Sequence, residues 1–233
     1  MKMSLALAVL LTCAACSQED APAEDIAEAA EEVVAPAAKP APLAKGEWAP
    51  RDECGDIEGA SEFRMRLTEA VRLRDADAVA ALAADDIKLD FGGGEGTAEL
   101  RSRLGDPERE LWQALDQLVT LGCAANEEGG VTIPWLFAQD LGETDPYAAL
   151  LVMDEDVPVL TEPKASAERL DTISWDLVEV SGYDPDARFQ EIKVADGGTG
   201  FIATDKLRSV IDYRLVASSR NGRWRITSLL AGD

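Results

Sequence analysis

ALLVMDEDVPVLTEPKASAERLDTISWDLVEVSGYDPDARFQEIKVADGGTGFIATDKLRSVIDYRLVASSRNGRWRITSLLAGD, residues 149–233, is the stretch whose reading decides the fold. It opens with the short apolar run Leu150-Leu151-Val152, and Val157 and Val159 then alternate around Pro158. Ile173, Trp175, Leu177, Val178 and Val180 predict one strand, Phe189, Ile192 and Val194 another, and Phe201-Ile202-Ala203 a further one. Clusters of Gly, Pro and Asp separate these runs, as at Gly182 with Pro185 and at Asp196-Gly197-Gly198. Short strands punctuated in this way predict a small sandwich or barrel, with a tight hairpin at Asp196-Gly197-Gly198. Beyond them, Arg220-Asn221-Gly222 sits between Tyr213-Arg214-Leu215-Val216 and Trp224-Arg225-Ile226-Thr227. Asn-Gly between two alternating runs is a strong local hairpin signal, because both turn positions need positive φ.

Working towards the N-terminus, the periodicity changes from two to near four. Phe63, Leu67, Ala70 and Val71 share one face of a helix predicted over Ser61 to Leu73. Asp75 or Asp77 suits the cap of a second helix carrying Val79 and Leu82. Ile87, Leu89 and Phe91 alternate and predict a strand that ends at Gly92-Gly93-Gly94. Thr97 is the expected cap of a short helix turning Leu100 and Leu104 inward. Asp106-Pro107-Glu108 reads as the start of a helix that buries Leu111, Leu115 and Leu118 and ends at Gly122. Val131, Ile133, Trp135 and Phe137 alternate, and Pro134 predicts that this strand lies at a sheet edge.

The first 50 residues have a different character. Lys2 followed by the apolar run Leu5 to Leu11 is too short to span a bilayer and predicts a signal peptide. Residues 17–50 are rich in Ala, Pro and acids, with no aromatic residue before Trp48. Such a composition cannot bury enough surface to order itself, so a tether is expected.

Composition narrows the function. Net charge is −23, from 45 acidic and 22 basic residues. That argues against nucleic acid and against a polybasic grip on anionic lipid. There is no His. Ser-His-Asp and Cys-His catalysis and His-based zinc sites are thereby removed, leaving carboxylates, Lys or Tyr for any proton transfer. Asp85-Asp86 and Asp154-Glu155-Asp156 are acidic clusters of the kind that form solvated loops in so acidic a chain. Phe91-Gly92-Gly93-Gly94-Glu95-Gly96 lacks the Lys-Ser/Thr of a phosphate loop. The expectation is a protein that is not an enzyme, with neither metal nor cofactor. Once a leader is set aside, Cys54 and Cys123 are the two remaining candidates for a disulfide; the alternative is a pair of free buried thiols.

Three resemblances sharpen this. Cys13-Ala14-Ala15-Cys16, with small residues before a Cys, resembles the bacterial lipoprotein signal. It implies that residues 1–16 are the signal and that Cys16 is lipidated, an ordinary cleaved signal being the alternative. The order Val157-Pro158-Val159-Leu160, Ile173 to Val180, Phe189 to Val194 and Gly197-Gly198-Thr199-Gly200-Phe201-Ile202 resembles a bacterial Src-homology-3 domain. That resemblance implies a small barrel over residues 149–208. Its aromatic set would be Trp175, Tyr183, Phe189 and Phe201, with Tyr183 the residue placed to face a ligand groove. Arg74-Asp75-Ala76-Asp77 and Gly222-Arg223-Trp224-Arg225-Ile226-Thr227 loosely resemble nuclear-transport-factor-2-like folds, which implies that the last hairpin packs on the N-terminal region.

The expected fold class is therefore α+β. A helix-and-strand region (51–148) follows the tether (17–50), a small all-β barrel (149–208) comes next, and a β-hairpin (209–233) closes the chain. The expected role is that of an envelope lipoprotein, membrane-anchored and facing the periplasm, that binds a periplasmic protein or cell-wall peptide. A purely structural lipoprotein is the first alternative. The second is a small-molecule binder or enzyme with a cone-like pocket around Phe91, Trp112 and Trp135.

Overall fold

The computed structural model describes residues 42–194 and 197–232. The expected leader with Cys16, the tether as far as Ala41, and Asp196 of the predicted turn lie outside the described residues. The described residues are mixed α+β, with more strand than helix.

Helix α1 (Ala60–Arg72) buries Ala60, Phe63, Leu67, Ala70 and Val71 along one face. Helix α2 (Ala76–Ala81) is capped by Asp75, whose carboxylate accepts from the Ala78 N–H at 2.9 Å. Strand β1 (Ala83–Lys88) begins earlier and ends earlier than its apolar alternation suggests. The early end follows from Asp90, whose Oδ1 accepts from the N–H groups of Gly92 and Gly94, both at 2.8 Å, and turns the chain. Phe91 is consequently 61 % exposed and belongs to no strand. Helix α3 (Thr97–Leu104) has Gly96 at its cap position and no side-chain cap, so Thr97 is its first residue and not its cap. Asp106 caps only the 3-10 turn Pro107–Arg109, because Glu110 takes a left-handed conformation (φ 47°). Helix α4 (Leu111–Leu118) starts afresh after it and stops short of Gly122. Strands β2 (Ala124–Ala125) and β3 (Val131–Ile133) follow. Pro134 ends β3, and Trp135–Ala138 form a 3-10 turn instead of continuing the alternation.

Asp90 also makes an ion pair with Arg103, a nearly buried arginine that donates to the Leu89 carbonyl at 2.8 Å and to Glu99 at 2.8 Å. The Arg103 hydrogen bond, followed by the Gly94 N–H, holds the Asp90 carboxyl down from its ordinary 3.8 to about 2. A depressed folded-state value means that its contribution is fully present above the unfolded pKa and is lost as pH falls through about 2. Thermal unfolding from pH 5 to pH 2 should therefore decline more steeply in the wild type than in Asp90→Asn. Parallel acid limbs would show that the pair does not contribute.

Seven strands come next: β4 (Ala149–Val152), β5 (Val157–Leu160), β6 (Arg169–Ile173), β7 (Leu177–Glu179), β8 (Phe189–Lys193), β9 (Thr199–Ala203) and β10 (Leu207–Ser209). They form two antiparallel sheets, in orders β10-β4-β7 and β6-β5-β9-β8, and the bridge between Val180 and Ile192 joins them. Their inward side chains make a core of their own, with Val152, Val159, Ile192 and Ile202 at its centre. The strand expected from Ile173 to Val180 is in fact two, β6 and β7. Trp175 between them has φ 42°, which a continuous strand cannot accommodate.

The last two strands, β11 (Arg214–Arg220) and β12 (Arg223–Leu230), form the expected hairpin. Asn221 and Gly222 lie at φ 54° and 71°, with Arg220 opposite Arg223. That is the geometry of a two-residue type I′ turn, whose twist matches its strands. The hairpin is the middle of a five-stranded sheet, β1-β12-β11-β3-β2. β12 pairs with β1 in parallel, and β11 pairs with β3 antiparallel. β3 is thus interior, not the edge strand that Pro134 suggested. Helices α1 to α4 supply the remainder of this core, where Leu67, Leu115, Leu215 and Ile226 are almost wholly buried.

Residues 42–50, expected as the end of a tether, are packed against the fold. The Lys45 N–H donates to Glu155 at 2.6 Å, and the Trp48 N–H donates to the Trp175 carbonyl at 2.8 Å. A Cβ on Gly46 would lie 2.1 Å from the Ser174 carbonyl oxygen, so only glycine allows this approach. Trp48 then meets Trp135 at 6.4 Å between ring centroids, in a small cluster with Leu151 and Trp175. That cluster joins the five-stranded sheet to the seven-strand unit.

Candidate functional site

A groove of about 1040 Å³ runs between α4 and the seven-strand unit. One wall is the loop from β7 to β8, which carries Tyr183 and Pro185, together with Phe189 at the start of β8. Gln190 fixes that loop. It alternates with Phe189 along β8 and so points inward, where it is 2 % exposed. Its Nε2 donates to the Asp184 carbonyl at 2.6 Å and to Thr204 Oγ1 at 2.9 Å, and its Oε1 accepts from the Asp184 N–H at 3.2 Å. Thr204 Oγ1 donates onward to the Ala187 carbonyl at 2.6 Å. A buried amide with its partners in place gives the loop one shape, and Tyr183 and Phe189 are presented from it.

The opposite wall is Glu110 with the exposed side of α4, including Gln113 and Gln117. Arg208 of β10 lies at the base between the two walls and is 4 % exposed. Its Nη1 donates to Gln117 Oε1 at 2.7 Å and lies 3.1 Å from Asp212 Oδ2, while Nη2 donates to the Tyr213 carbonyl. Burial pushes the Arg208 guanidinium below its ordinary value and Asp212 opposes that, and an arginine so placed stays charged. Burial, and then the Asp212 charge, push the Tyr183 phenol up, so it remains a neutral donor at physiological pH.

The expected aromatic set does not assemble. Tyr183 and Phe189 line the groove. Phe201 lies on the outward face of β9, opposite Glu191, because Gly200 and Ile202 are the inward residues. Trp175 belongs to the Trp48–Trp135 cluster and not to the core of the seven strands. Both are half-buried, not central core residues.

Phe91, Trp112 and Trp135 do not surround a common pocket either. Arg214 stacks over Phe137 at 4.2 Å and Phe91 at 5.7 Å, Arg74 covers Trp112 at 5.4 Å, and Arg51 covers Trp135 at 5.1 Å. A smaller cavity of about 240 Å³ lies beside α1. It holds the ion pair of Arg64 with Asp52 at 2.6 Å, in which Asp52 also accepts from the Cys54 N–H. Burial raises the Asp52 carboxyl, but the Arg64 hydrogen bond, the Cys54 N–H and the Arg64 charge together hold it below its ordinary value. A carboxylate so engaged is a structural acceptor, not a free base.

Cys54 and Cys123 are joined in a disulfide with Cα atoms 5.8 Å apart. Of the acidic clusters, Asp154 pairs with Lys206 at 2.9 Å and Asp156 with Lys45 at 3.1 Å, while Asp85 and Asp86 are exposed on β1. Among the described residues no group of three or more metal-ligating side chains converges, and no helix is long and apolar enough to cross a membrane.

Sequence reading missed Arg208, Gln190 and the α4 wall. Charged and amide side chains in a strand read as solvent-facing. Only their inward parity with Ile192, for Gln190, and their closeness to Leu207, for Arg208, could have raised the question.

No protein-family model matches the chain, and no curated protein is similar to it. Among solved structures, the chain is similar to a protein of unknown function from Mycobacterium tuberculosis. The identity is 15 %, over 73 % of this chain and 67 % of that one, with a TM-score of 0.23.

Proposed function

We propose that this chain is a bacterial envelope lipoprotein that holds a periplasmic protein or cell-wall peptide by contact, without catalysis. In this reading Cys16 carries the lipid and an acidic tether follows it. The seven-strand unit is a Src-homology-3-like barrel, set on a body related to nuclear-transport-factor-2-like folds. The observation that carries the reading is the groove of about 1040 Å³, in which Tyr183 and Phe189 stand on a loop pinned by the buried Gln190. A site rich in aromatic side chains on a stiff loop suits recognition, because little side-chain entropy is lost on contact. The acids that could act as bases are exposed or engaged in ion pairs, which favours binding over proton transfer. The disulfide favours an oxidising compartment.

A photo-cross-linking residue at Tyr183, introduced into the full chain in cells, should capture one discrete partner. The same residue at exposed Leu73, just past the last turn of α1, should not. Equal or absent capture at the two positions would leave the structural role as the better reading. The Trp48–Trp135–Trp175 cluster, which makes the seven-strand unit a buttress, favours that alternative.

A further inference from the structure

Taken one step further, and resting on the binding role just given, the groove also specifies the charge of its occupant. Its ionic groups divide into two sets. Arg208 is matched by Asp212 at 3.1 Å, and Arg109 by Asp106 at 3.5 Å. Glu110, Asp186 and Asp205 are exposed, line the groove, and make no close salt bridge among the described residues; Lys206, which feels the Asp205 charge, is itself paired with Asp154 at 2.9 Å. Against these three stands one cation unmatched among the described residues, Arg188. The groove therefore presents surplus negative charge beside three aromatic rings, those of Tyr183, Phe189 and Tyr213.

Two walls of different chemistry meet here. Glu110 stands at the head of α4 in a left-handed conformation (φ 47°), while Asp186 and Asp205 stand on the seven-strand side. Carboxylates on both walls can bracket a chain laid between them. The rings offer faces to ammonium and guanidinium groups, an attraction that strengthens when the cation is partly desolvated. The net charge of −23 adds a long-range field that steers cations inward and repels anions.

We infer that the groove takes an extended, basic polypeptide segment, its Lys or Arg side chains meeting Glu110, Asp186 and Asp205 and its apolar residues meeting Tyr183 and Phe189. A neutral or acidic cell-wall fragment lacks the cations these groups call for.

The chain has three tyrosines, Tyr147, Tyr183 and Tyr213, of which the last two line the groove. Fluorotyrosine labelling of the full chain therefore gives two reporters and one internal reference. A peptide of alternating Lys, Pro and Leu should move the fluorine resonances of Tyr183 and Tyr213 and leave Tyr147 in place. The effect should weaken between about 20 and 300 mM salt, since these exposed charges are screened over roughly 6–20 Å in that range. Glu110→Gln/Asp186→Asn/Asp205→Asn should lower the affinity about tenfold, as expected for the loss of three surface ion pairs. Asp85→Asn/Asp86→Asn/Glu127→Gln, with the same change in total charge, should leave it within about twofold. A Glu-for-Lys peptide or a soluble muropeptide that moves the same resonances as strongly would overturn the inference and keep the groove as a binding site. Silence at both reporters with the basic peptide would also overturn it, while capture from Tyr183 in cells judges the binding role separately.

Discussion

Replacing Cys54 and Cys123 with alanine should lower the unfolding free energy by about 4 kcal/mol on the chain-entropy account. The bridge closes a loop of sequence separation 69 that contains helices α1 to α4 and β1. Its geometry is supported locally: the Cys123 N–H donates to the Arg51 carbonyl at 2.8 Å, and the Glu53 N–H donates to the Cys123 carbonyl at 2.8 Å. Both cysteines are 0 % exposed, so a reductant should act only on the unfolded chain. Urea titrations of the wild type and the double variant measure the difference. A loss below about 1 kcal/mol would mean that the unfolded chain keeps these segments together without the bond.

Trp224→Ala should cost about 3–5 kcal/mol. Trp224 is 7 % exposed, stacks on Phe63 at 5.7 Å, and donates its indole N–H to the Glu58 carbonyl at 3.0 Å. Truncation removes a large buried ring and leaves that carbonyl without its donor. The contact spans the fold, since Trp224 lies on β12 and Phe63 on α1, so its loss loosens the sheet from the helices. Trp224→Phe keeps most of the stacking and loses the hydrogen bond, and should cost nearer ~1 kcal/mol beyond the small change in area. Denaturant midpoints of the two variants separate the terms. Similar losses for both would place the stability in the hydrogen bond, not in the packing.

Local signals were readable where one short-range rule decides the outcome. The α1 face, the Asp75 cap and the Asn221-Gly222 turn all depend on residues within a few positions of one another. The strands failed where a side chain overrode alternation. Asp90 closes β1 by taking two N–H groups, Glu110 breaks the helix started by Asp106-Pro107, and Trp175 splits one apolar run into β6 and β7. Each of these is a backbone choice that apolar periodicity cannot register. That the final hairpin packs on the N-terminal region was only implied by the loose resemblance over residues 74–77 and 222–227. β12 does pair with β1, and nothing in the sequence told that the pairing would be parallel.

The groove was half legible. Tyr183 follows from its loop position, and Phe189 was expected only as one of the aromatic set that the barrel resemblance implies; Trp175 and Phe201, of the same set, are aromatic for other reasons. Trp175 joins two units, and Phe201 covers an outer face. The second wall could not be read at all, because α4 and the β7–β8 loop are far apart in sequence and meet only through tertiary packing. Arg208 marks that meeting, bonding Gln117 across a separation of 91 residues.

Capture from Tyr183 bears most directly on the central claim, that this molecule works by holding a partner in the groove. With a photo-reactive side chain at Tyr183 in the full-length protein, the account predicts a discrete cross-linked species, lost when Phe189 is changed to alanine and absent when the probe sits at Leu73. The same cross-linked pattern from Leu73, or none from Tyr183 while the protein stays folded, would contradict it.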